Sequence, residues 1–411
     1  MSEYVIIGNG TAAVGCIEGI RSTDPHSPIT VISGEEHHVY SRPLISYYLE
    51  GKTDLEKMLY RPKDFYEKNK VKLIFGRAVK LDQKKHTVTL SDKKKLSFDK
   101  LCLCTGSSPF VPAFQGLDTV KRSFTFMTLD DSLALEKALT KKSRVLIVGA
   151  GLIGLKCAEG ILHRVSSVTV CDLADRVLSS ILDKDCAQVM QSHLEAQGIR
   201  FLLGDTAVRF KSDTAFMKSG AEVGFDVLVL AVGVRAETAL AQQAGAETGR
   251  GIVIDPKMQT TLPDIYAAGD CSEGYDSSTD TNRVLAILPN AYMQGRCAGV
   301  NMAGGEGSLN DLIPMNSIGF FGLHCATAGA YPKDAEIIEN KAESSVRRLY
   351  IKDDKLAGFI LIGDVNRAGI YTSLVREKTS LSDLDMQSLA QSPSLLIFSK
   401  TVRKQKLGGV V

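Results

Sequence analysis

The stretch Tyr4-Val5-Ile6-Ile7-Gly8-Asn9-Gly10-Thr11-Ala12-Ala13 decides the fold. Its four leading apolar residues predict a strand, and the pattern Gly-x-Gly-x-x-Ala follows at once and opens a helical stretch through Ile20. In this context Gly8 permits a tight turn, Gly10 lets the backbone approach a pyrophosphate, and Ala13 lets the helix pack closely on the strand. Because the helix N-terminus then faces the phosphates, the stretch predicts a dinucleotide-binding loop.

A second copy of this pattern begins at Arg144. The strand 144–148 runs into Gly-Ala-Gly-Leu-Ile-Gly, and a helix follows. In each copy the next strand leads to a carboxylate, Glu35 in the first and Asp172 in the second, which can accept hydrogen bonds from an adenosine ribose. A single glycine-rich turn also occurs as an ordinary strand-to-helix connection. Two copies, each with strand, helix and acid, predict a carrier of two dinucleotides.

Length and composition are those of a globular protein with two or three domains. The chain has 411 residues, of which 44% are hydrophobic and 23% charged, and its formal net charge is +2. This small charge favours no nucleic-acid partner. No apolar run approaches the roughly 18 residues of a membrane span. The N-terminus has no signal-peptide pattern, so we expect a cytoplasmic protein with no membrane association.

The nine cysteines are scattered, without the Cys-x-x-Cys spacing of a redox dithiol or a metal site. No metal site is predicted. Cys102 and Cys104, the closest pair, alternate within an apolar run. Period-2 spacing puts both on one face of a strand, where we expect them to be small buried side chains.

A third region begins near residue 316. Its patterns predict strands at 317–321, 346–352 and 357–363, and then helices at 368–377 and 381–389. The sequence therefore predicts an α/β protein with two doubly wound, Rossmann-like dinucleotide-binding domains and a C-terminal α+β domain. The polar stretch 273–281 is interpreted as a surface loop.

Five segments in order resemble the two-dinucleotide-binding flavoproteins of the pyridine nucleotide-disulfide oxidoreductase superfamily, whose fold is glutathione-reductase-like. They are GNGTAA at 8–13, LCTGSSP at 103–109, GAGLIG at 149–154, AVG at 231–233 and IYAAGD at 265–270. The segment YSRPLIS at 40–46 is similar to the branch of NADH:rubredoxin reductases, ferredoxin reductases and the flavin part of assimilatory nitrite reductases. The resemblance implies an FAD-binding domain at 1–117 and 250–312, an NAD(P)H-binding domain at 118–249 and a C-terminal interface domain at 313–411.

The resemblance also implies the residues that bind FAD. Glu35 holds the adenosine ribose, and Asp270 takes a ribitol hydroxyl. Arg42 lies beside the phosphates, and Val79 meets the adenine. The full implied set is Gly8, Gly10, Thr11, Ala12, Ala13, Glu35, Arg42, Pro43, Val79, Thr105, Gly106, Gly269 and Asp270.

The implied nicotinamide-cofactor site comprises Gly149, Gly151, Leu152, Ile153, Gly154, Asp172 and Gly233. Asp172 favours NADH, because a carboxylate accepts from the free 2′-hydroxyl of NAD and repels the 2′-phosphate of NADP. Arg176 keeps NADPH as a weaker alternative, although it could equally pair with Asp172 or Asp175.

Several residues depart from the patterns of relatives. The segment 39–51 has no cysteine, where disulfide reductases carry a thiol beside the flavin, so the resemblance disfavours a thiol relay. Lys156 stands where many relatives have a glutamate, and Glu159 follows one helical turn later. Either could touch the nicotinamide as a catalytic residue, or the two could form an i,i+3 pair on the helix surface. Tyr47 stands where several ferredoxin reductases have a lysine.

The sequence thus predicts an NAD(P)H-dependent FAD oxidoreductase. Hydride passes between NADH and the flavin, and electrons pass between the flavin and a small iron–sulfur protein, rubredoxin or ferredoxin. Two alternatives stay open: an NADH oxidase that reduces oxygen, and a flavin-bound redox sensor or interaction protein. The C-terminal domain either covers the flavin or forms a homodimer.

Overall fold

The computed structural model of the protein describes residues 3–342, 345–382, 384–391 and 393–407. Contacts divide the chain into two compact units. The first unit comprises Met1–Asp175, Gly198–Tyr275 and Thr281–Asn310, and the second comprises Arg176–Gln197, Asp276–Asp280 and Asp311–Val411. The three-domain boundaries expected from the sequence stay a prediction.

The chain begins with the strand, glycine loop and helix that the sequence predicts. The elements up to residue 109 are β1 (Tyr4–Ile7), α1 (Thr11–Thr23), β2 (Ile29–Ser33), α2 (Leu44–Glu50), α3 (Phe65–Lys68), β3 (Val71–Phe75), β4 (Ala78–Asp82), β5 (Thr87–Leu90), β6 (Lys95–Ser97), β7 (Lys100–Leu103) and β8 (Ser107–Pro109). Strands β4, β5 and β6 form a small antiparallel sheet, whereas β3 pairs with β2 in a parallel sheet.

The pattern repeats in the next part of the chain. Its elements are β9 (Ser123–Thr125), α4 (Leu129–Ala138), β10 (Arg144–Val148), α5 (Leu152–Ile161), β11 (Ser167–Asp172), α6 (Lys184–Ala196), β12 (Ile199–Leu203), β13 (Ala207–Lys211), β14 (Thr214–Met217), β15 (Glu222–Gly224), β16 (Val227–Leu230), β17 (Val234–Ala236) and α7 (Ala239–Ala244). The last elements before residue 311 are β18 (Ile252–Val253), β19 (Ile265–Ala267), β20 (Ser272–Asp276), β21 (Thr281–Arg283) and α8 (Leu288–Met302).

Each glycine loop follows the central strand of a five-stranded parallel sheet. The sheets have the orders β19-β7-β1-β2-β3 and β12-β11-β10-β16-β9. The chain order reverses at β1 in the first sheet and at β10 in the second. Ligands of such sheets bind at this switch point, outside the carboxyl ends of the strands. The two sheets confirm the predicted pair of doubly wound units.

Helices α1 and α8 pack against each other through glycine. A Cβ built on Gly295 would lie 1.9 Å from the backbone oxygen of Ala12, and one on Gly299 would lie 2.2 Å from that of Cys16. Only glycine allows the two backbones to approach so closely. The contact fixes α8 beside the first glycine loop.

The second unit contains an antiparallel sheet with the order β22-β23-β26-β25-β24. Its elements from residue 311 on are β22 (Met315–Phe320), β23 (Leu323–Gly329), β24 (Glu336–Ala342), β25 (Ser345–Lys352), β26 (Lys355–Ile362), α9 (Ala368–Glu377), α10 (Met386–Gln391) and α11 (Lys400–Leu407). Leu349 and Phe359 of the sheet share a buried core with Tyr371 of α9. This confirms the predicted α+β region.

Two local predictions were wrong. The helix expected at 381–389 begins only at Met386, because the Asp385 carboxylate accepts from the amides of Gln387 and Ser388 and so caps the helix there. The stretch 273–281, expected to be a surface loop, begins inside β20, where Ser272, Gly274 and Asp276 are buried in alternation. Within the described residues, no helix is long and apolar enough to cross a membrane.

Candidate functional site

The first glycine loop turns sharply from β1 into α1. Gly8 has a φ of 115°, and a Cβ there would lie 1.9 Å from the backbone oxygen of Cys104, so no other residue fits. Gly10 is the N-cap of α1, and a Cβ there would meet no atom within 4 Å. The amides at the start of α1 therefore face open space, as an anion site at a helix N-terminus requires.

A cleft with an empty volume of about 990 Å³, part of it open to solvent, lies in front of this loop. Ten of the predicted FAD residues line it: Gly8, Gly10, Thr11, Ala12, Glu35, Arg42, Thr105, Gly106, Gly269 and Asp270. Ala13 is fully buried between helix and strand. Pro43 caps α2 beside the cleft, and Val79 lines a second cavity that shares Gly8 and Thr105 with the first.

The sequence did not reveal several residues that line the cleft. They are Asn9, Ser33, Gly34, His37, His38, Tyr40, Cys104, Ser107, Met127, Ala268, Leu288 and Ala291. Those next to predicted residues, such as Asn9 and Ala268, follow from the motifs themselves. Met127 and Leu288 carried no signal, because each comes from a distant segment that only the folded chain brings to the cleft.

Charged groups follow one another along the cleft. The Arg42 guanidinium pairs with the Glu35 carboxylate, and Arg42 also favours the charged form of Asp270. Tyr40 donates to Glu35 over 2.6 Å. One cation thus interacts with two acids, in the part of the chain that the sequence assigns to phosphate, ribose and ribitol.

Asp270 is an acid in this cleft whose charged form is disfavoured by burial. Burial raises the pKa of its carboxyl, while a hydrogen bond from Ser107 (3.0 Å) and the charge of Arg42 oppose that rise. A buried carboxylate of this kind is costly in the ligand-free fold, and it is ready to accept from a ligand hydroxyl.

The second glycine loop repeats the geometry of the first. Gly149 has a φ of 118°, and a Cβ there would lie 2.2 Å from the Ala231 backbone oxygen. A Cβ on Gly151 would meet nothing within 4 Å, whereas one on Gly154 would lie 2.0 Å from the Gly149 oxygen. The loop therefore holds α5 close to its strand. The helix starts with Leu152 and Ile153, and its N-terminus is left open.

The Asp172 carboxylate lies beside this loop. It accepts from the amide of Ala150 over 2.7 Å and from that of Ala174 over 2.8 Å. These bonds fix the carboxylate at the carboxyl end of β11, where an adenosine ribose would reach it. Gly233 follows β16 with a φ of 117°, a conformation that side chains rarely adopt.

Lys156 and Glu159 form an ion pair, one of the two arrangements left open by the sequence. The pair is not on an open helix surface: Glu159 is buried and Lys156 is partly buried, with side-chain exposures of 6% and 13%. The Lys156 ammonium also lies 4.6 Å from the centre of the Tyr47 ring, a cation–π contact between α5 and α2. The two departures from the family pattern, Lys156 and Tyr47, are therefore in contact.

All nine cysteines are free and buried. Cys104 lines the cleft, and its sulfur lies 3.5 Å from that of Cys102. Hydrogen bonding with Cys102, together with burial, raises the pKa of the Cys104 thiol well above its ordinary value. A thiol held in its neutral form is a poor nucleophile, so the pair does not resemble a reactive dithiol.

Comparison with protein families identifies the chain. Residues 2–295 match the model of the pyridine nucleotide-disulphide oxidoreductases. The chain belongs to this family. Residues 314–379 match a second model, the C-terminal domain of rubredoxin NAD+ reductase. FAD and NADH are the cofactors of this oxidoreductase family, as the two loops predict.

Two curated relatives show how widely this oxidoreductase architecture is used. The epsilon subunit of NADH-dependent phenylglyoxylate dehydrogenase from Aromatoleum evansii is 31% identical over 95% of both chains. The assimilatory nitrate reductase electron transfer subunit of Bacillus subtilis is 32% identical over 92% of this chain. The chain spans only 49% of the length of that second relative.

A solved structure has the same fold. The reductase in the covalent putidaredoxin reductase–putidaredoxin complex superposes with a TM-score of 0.88 at 22% identity, over 95% of this chain and 96% of the other. At that identity the similarity concerns the fold.

The first cleft fits FAD. The open Gly10 position and the N-terminus of α1 suit a pyrophosphate, and Arg42 supplies a positive charge. Glu35 and Asp270 supply acceptors for hydroxyls on either side of Arg42.

Replacing Asp270 by Asn tests whether the Asp270 carboxylate lowers the stability of the fold and strengthens the binding of FAD. Because the folded pKa is raised, the wild-type fold loses stability as the pH rises from the unfolded pKa of roughly 4 towards the folded value. We expect D270N to raise the Tm of FAD-free protein at pH 7, with no gain below about pH 4. We expect FAD to bind about tenfold more weakly, since a charged acceptor is lost. A lower Tm for FAD-free D270N at pH 7 would contradict this account.

Proposed function

We propose that the protein is an NADH-dependent FAD oxidoreductase that exchanges electrons with a small iron–sulfur protein of the rubredoxin or ferredoxin kind. The observation that carries this proposal is the presence of two complete dinucleotide loops in one compact unit, in a chain whose cysteines are all buried. Without an accessible thiol pair, the electron acceptor is a separate molecule rather than a disulfide of the chain.

Three comparisons support a protein as that acceptor. The C-terminal match is to rubredoxin NAD+ reductase, one relative is an electron transfer subunit, and the structural neighbour was solved with putidaredoxin attached. Each describes a reductase that works with a protein partner. Oxygen is the competing acceptor, and the experiment below distinguishes the two.

In this proposal the first loop holds FAD and the second holds NADH. The FAD residues are the thirteen implied by the resemblance, with Tyr40 and Ser107 added because they bond to Glu35 and Asp270. Val79 has the weakest support, since it lines the neighbouring cavity. Asp172 accepts from the ribose of NADH, and NADPH is the poorer substrate.

When bound, FAD supplies the chemistry that links the two-electron donor NADH to a one-electron acceptor. The chain holds the two cofactors and sets the charge around them. Lys156 contributes a positive charge between α2, which follows the FAD-binding turn, and α5, which begins at the NADH loop. Glu159 balances that charge, and which of the two side chains would touch the nicotinamide stays open.

Three further features belong to the proposal. The domains follow the family pattern: an FAD-binding domain at 1–117 and 250–312, an NADH-binding domain at 118–249 and an interface domain at 313–411. The interface domain either covers the flavin or forms a homodimer. A cytoplasmic location is supported by the nine free cysteines, which are typical of a reducing compartment.

Anaerobic reduction by NADH followed by reoxidation tests the proposed function. We expect NADH to bleach the purified yellow protein and rubredoxin or ferredoxin to restore its colour at a rate that rises with partner concentration, because the flavin is the last electron carrier on the chain. The absorbance of the oxidised flavin, in a stopped-flow instrument, is the measurement. Reoxidation by air alone would favour an NADH oxidase, and failure to bleach would reject electron exchange with NADH.

The variant Asp172→Asn tests the choice of cofactor. Asn keeps an oxygen that can accept from the Ala174 amide, but it loses the second acceptor, which the Ala150 amide uses, and removes the negative charge that repels a 2′-phosphate. We expect kcat/KM for NADH to fall about tenfold, the cost of a lost hydrogen bond to a charged group, and kcat/KM for NADPH to rise. Asp175→Asn, a nearby acid outside the proposed site, is the control. Unchanged kinetics with both cofactors would remove Asp172 from the site.

A further inference from the structure

Tyr40 connects the FAD cleft to another part of the chain. The residue is 8% exposed, and its hydroxyl donates to the Glu35 carboxylate over 2.6 Å. The same hydroxyl accepts from the backbone amide of Leu129 over 2.9 Å. Burial raises the pKa of the Tyr40 hydroxyl, so it stays protonated and can do both at once.

Two residues near Tyr40 in the chain also contact the segment around Leu129, residues 127–130. Arg42 donates to the backbone oxygen of Met127 over 3.1 Å, and His37 bonds to the carboxylate of Asp130 over 2.8 Å. The turn 35–42 thus makes three contacts with residues 127–130. Arg42 thus joins the Glu35–Arg42 pair to a backbone carbonyl of that stretch, and the Tyr40 hydroxyl joins Glu35 to a backbone N–H group of it without using a charged side chain.

The stretch 127–130 leads to the second glycine loop. It follows β9, which pairs with β16 at the edge of the second sheet. At Leu129 it enters α4, whose start is fixed by a capping box between Thr128 and Asp131. Helix α4 then leads into β10 and Gly149. A continuous segment of strand, helix and strand therefore connects the residues that contact Tyr40 to the second loop.

A ligand in the first cleft would act directly on this contact. The ribose hydroxyls and pyrophosphate of FAD would bring donors to Glu35 and negative charge to Arg42, and the Glu35 carboxylate pairs with Arg42 and accepts from Tyr40. Whatever orients Glu35 also orients Tyr40, and through it the Leu129 amide.

We propose that Tyr40 is a positioning residue that couples the two dinucleotide sites, so that FAD and NAD each tighten the binding of the other. This inference rests on the proposed assignment of FAD to the first loop and NADH to the second. Coupling of this kind is reciprocal, and a two-site protein commonly shows it as a change of about tenfold in affinity.

The test compares FAD release from the holoenzyme with and without saturating NAD+. On dilution, the fluorescence of released flavin gives the dissociation constant of FAD. We expect NAD+ to lower this constant about tenfold in the wild type. The variant Tyr40→Phe keeps the ring and loses both hydrogen bonds. For this variant we expect the FAD dissociation constants without and with NAD+ to be nearly equal, a ratio near one.

Tyr48→Phe is the matched control. The Tyr48 hydroxyl donates over 3.0 Å to Glu136, in the last turns of α4, from a residue outside the cleft. Like Tyr40→Phe, this variant loses a tyrosine hydroxyl that hydrogen-bonds to α4. We expect it to keep the wild-type ratio of the FAD dissociation constants without and with NAD+.

Leu129→Pro removes the same hydrogen bond from the other side. Proline is well tolerated at the first position of a helix, and the extended backbone of Thr128 suits a following proline. We expect this variant to lose the coupling, and the double variant with Tyr40→Phe to lose no more.

A wild-type ratio of one, or a ratio unchanged in Tyr40→Phe, would overturn the proposal. Because the experiment uses oxidised NAD+ and no electron acceptor, a failure of the proposed acceptor leaves this test unaffected. Failure of the holoenzyme to bind NAD+ at all would instead reject the assignment of the second loop.

Discussion

The structure depends on two places where a glycine backbone lies against the carbonyl of a neighbouring strand. A side chain at Gly8 would overlap the backbone of Cys104, and one at Gly149 would overlap that of Ala231. Each close approach turns the chain at the carboxyl end of a central parallel strand and aims the following helix N-terminus into open space. The dinucleotide sites are therefore consequences of strand packing, and their anion-binding groups are backbone amides that few substitutions can alter.

Around the first of these turns, side chains from separate segments supply the charge. Asp270 and Arg42 line the cleft from segments far apart in the chain, and the Tyr40 hydroxyl accepts from the amide of Leu129 at the start of α4. Burial opposes the ionisation of Asp270, so the charged carboxylate costs folding stability, and a hydrogen bond from a ligand hydroxyl would offset that cost.

The sequence predicts the backbone of the site better than its side-chain network. Gly8, Gly149 and the apolar strands before them are local signals, so the loops, the parallel sheets and most cleft residues could be predicted. The links from Tyr40 to Leu129 and from Lys156 to Tyr47 join residues far apart in the chain, and no local pattern reports them. The start of α10 differs from these links, because its cap is local: Asp385 accepts from the amide of Gln387, and the apolar pattern from residue 381 on outweighed that signal in the prediction.

The central claim is that electrons leave the chain from the flavin and not from a thiol pair. Cys102 and Cys104 lie close enough to be the one competing carrier near the cleft in the described residues. An anaerobic titration with NADH decides between them, because NADH carries two electrons and FAD takes up two. This account predicts complete bleaching of the flavin with one NADH per FAD and no loss of titratable thiols in the oxidised protein. Uptake of a second NADH, with two new thiols appearing, would contradict it.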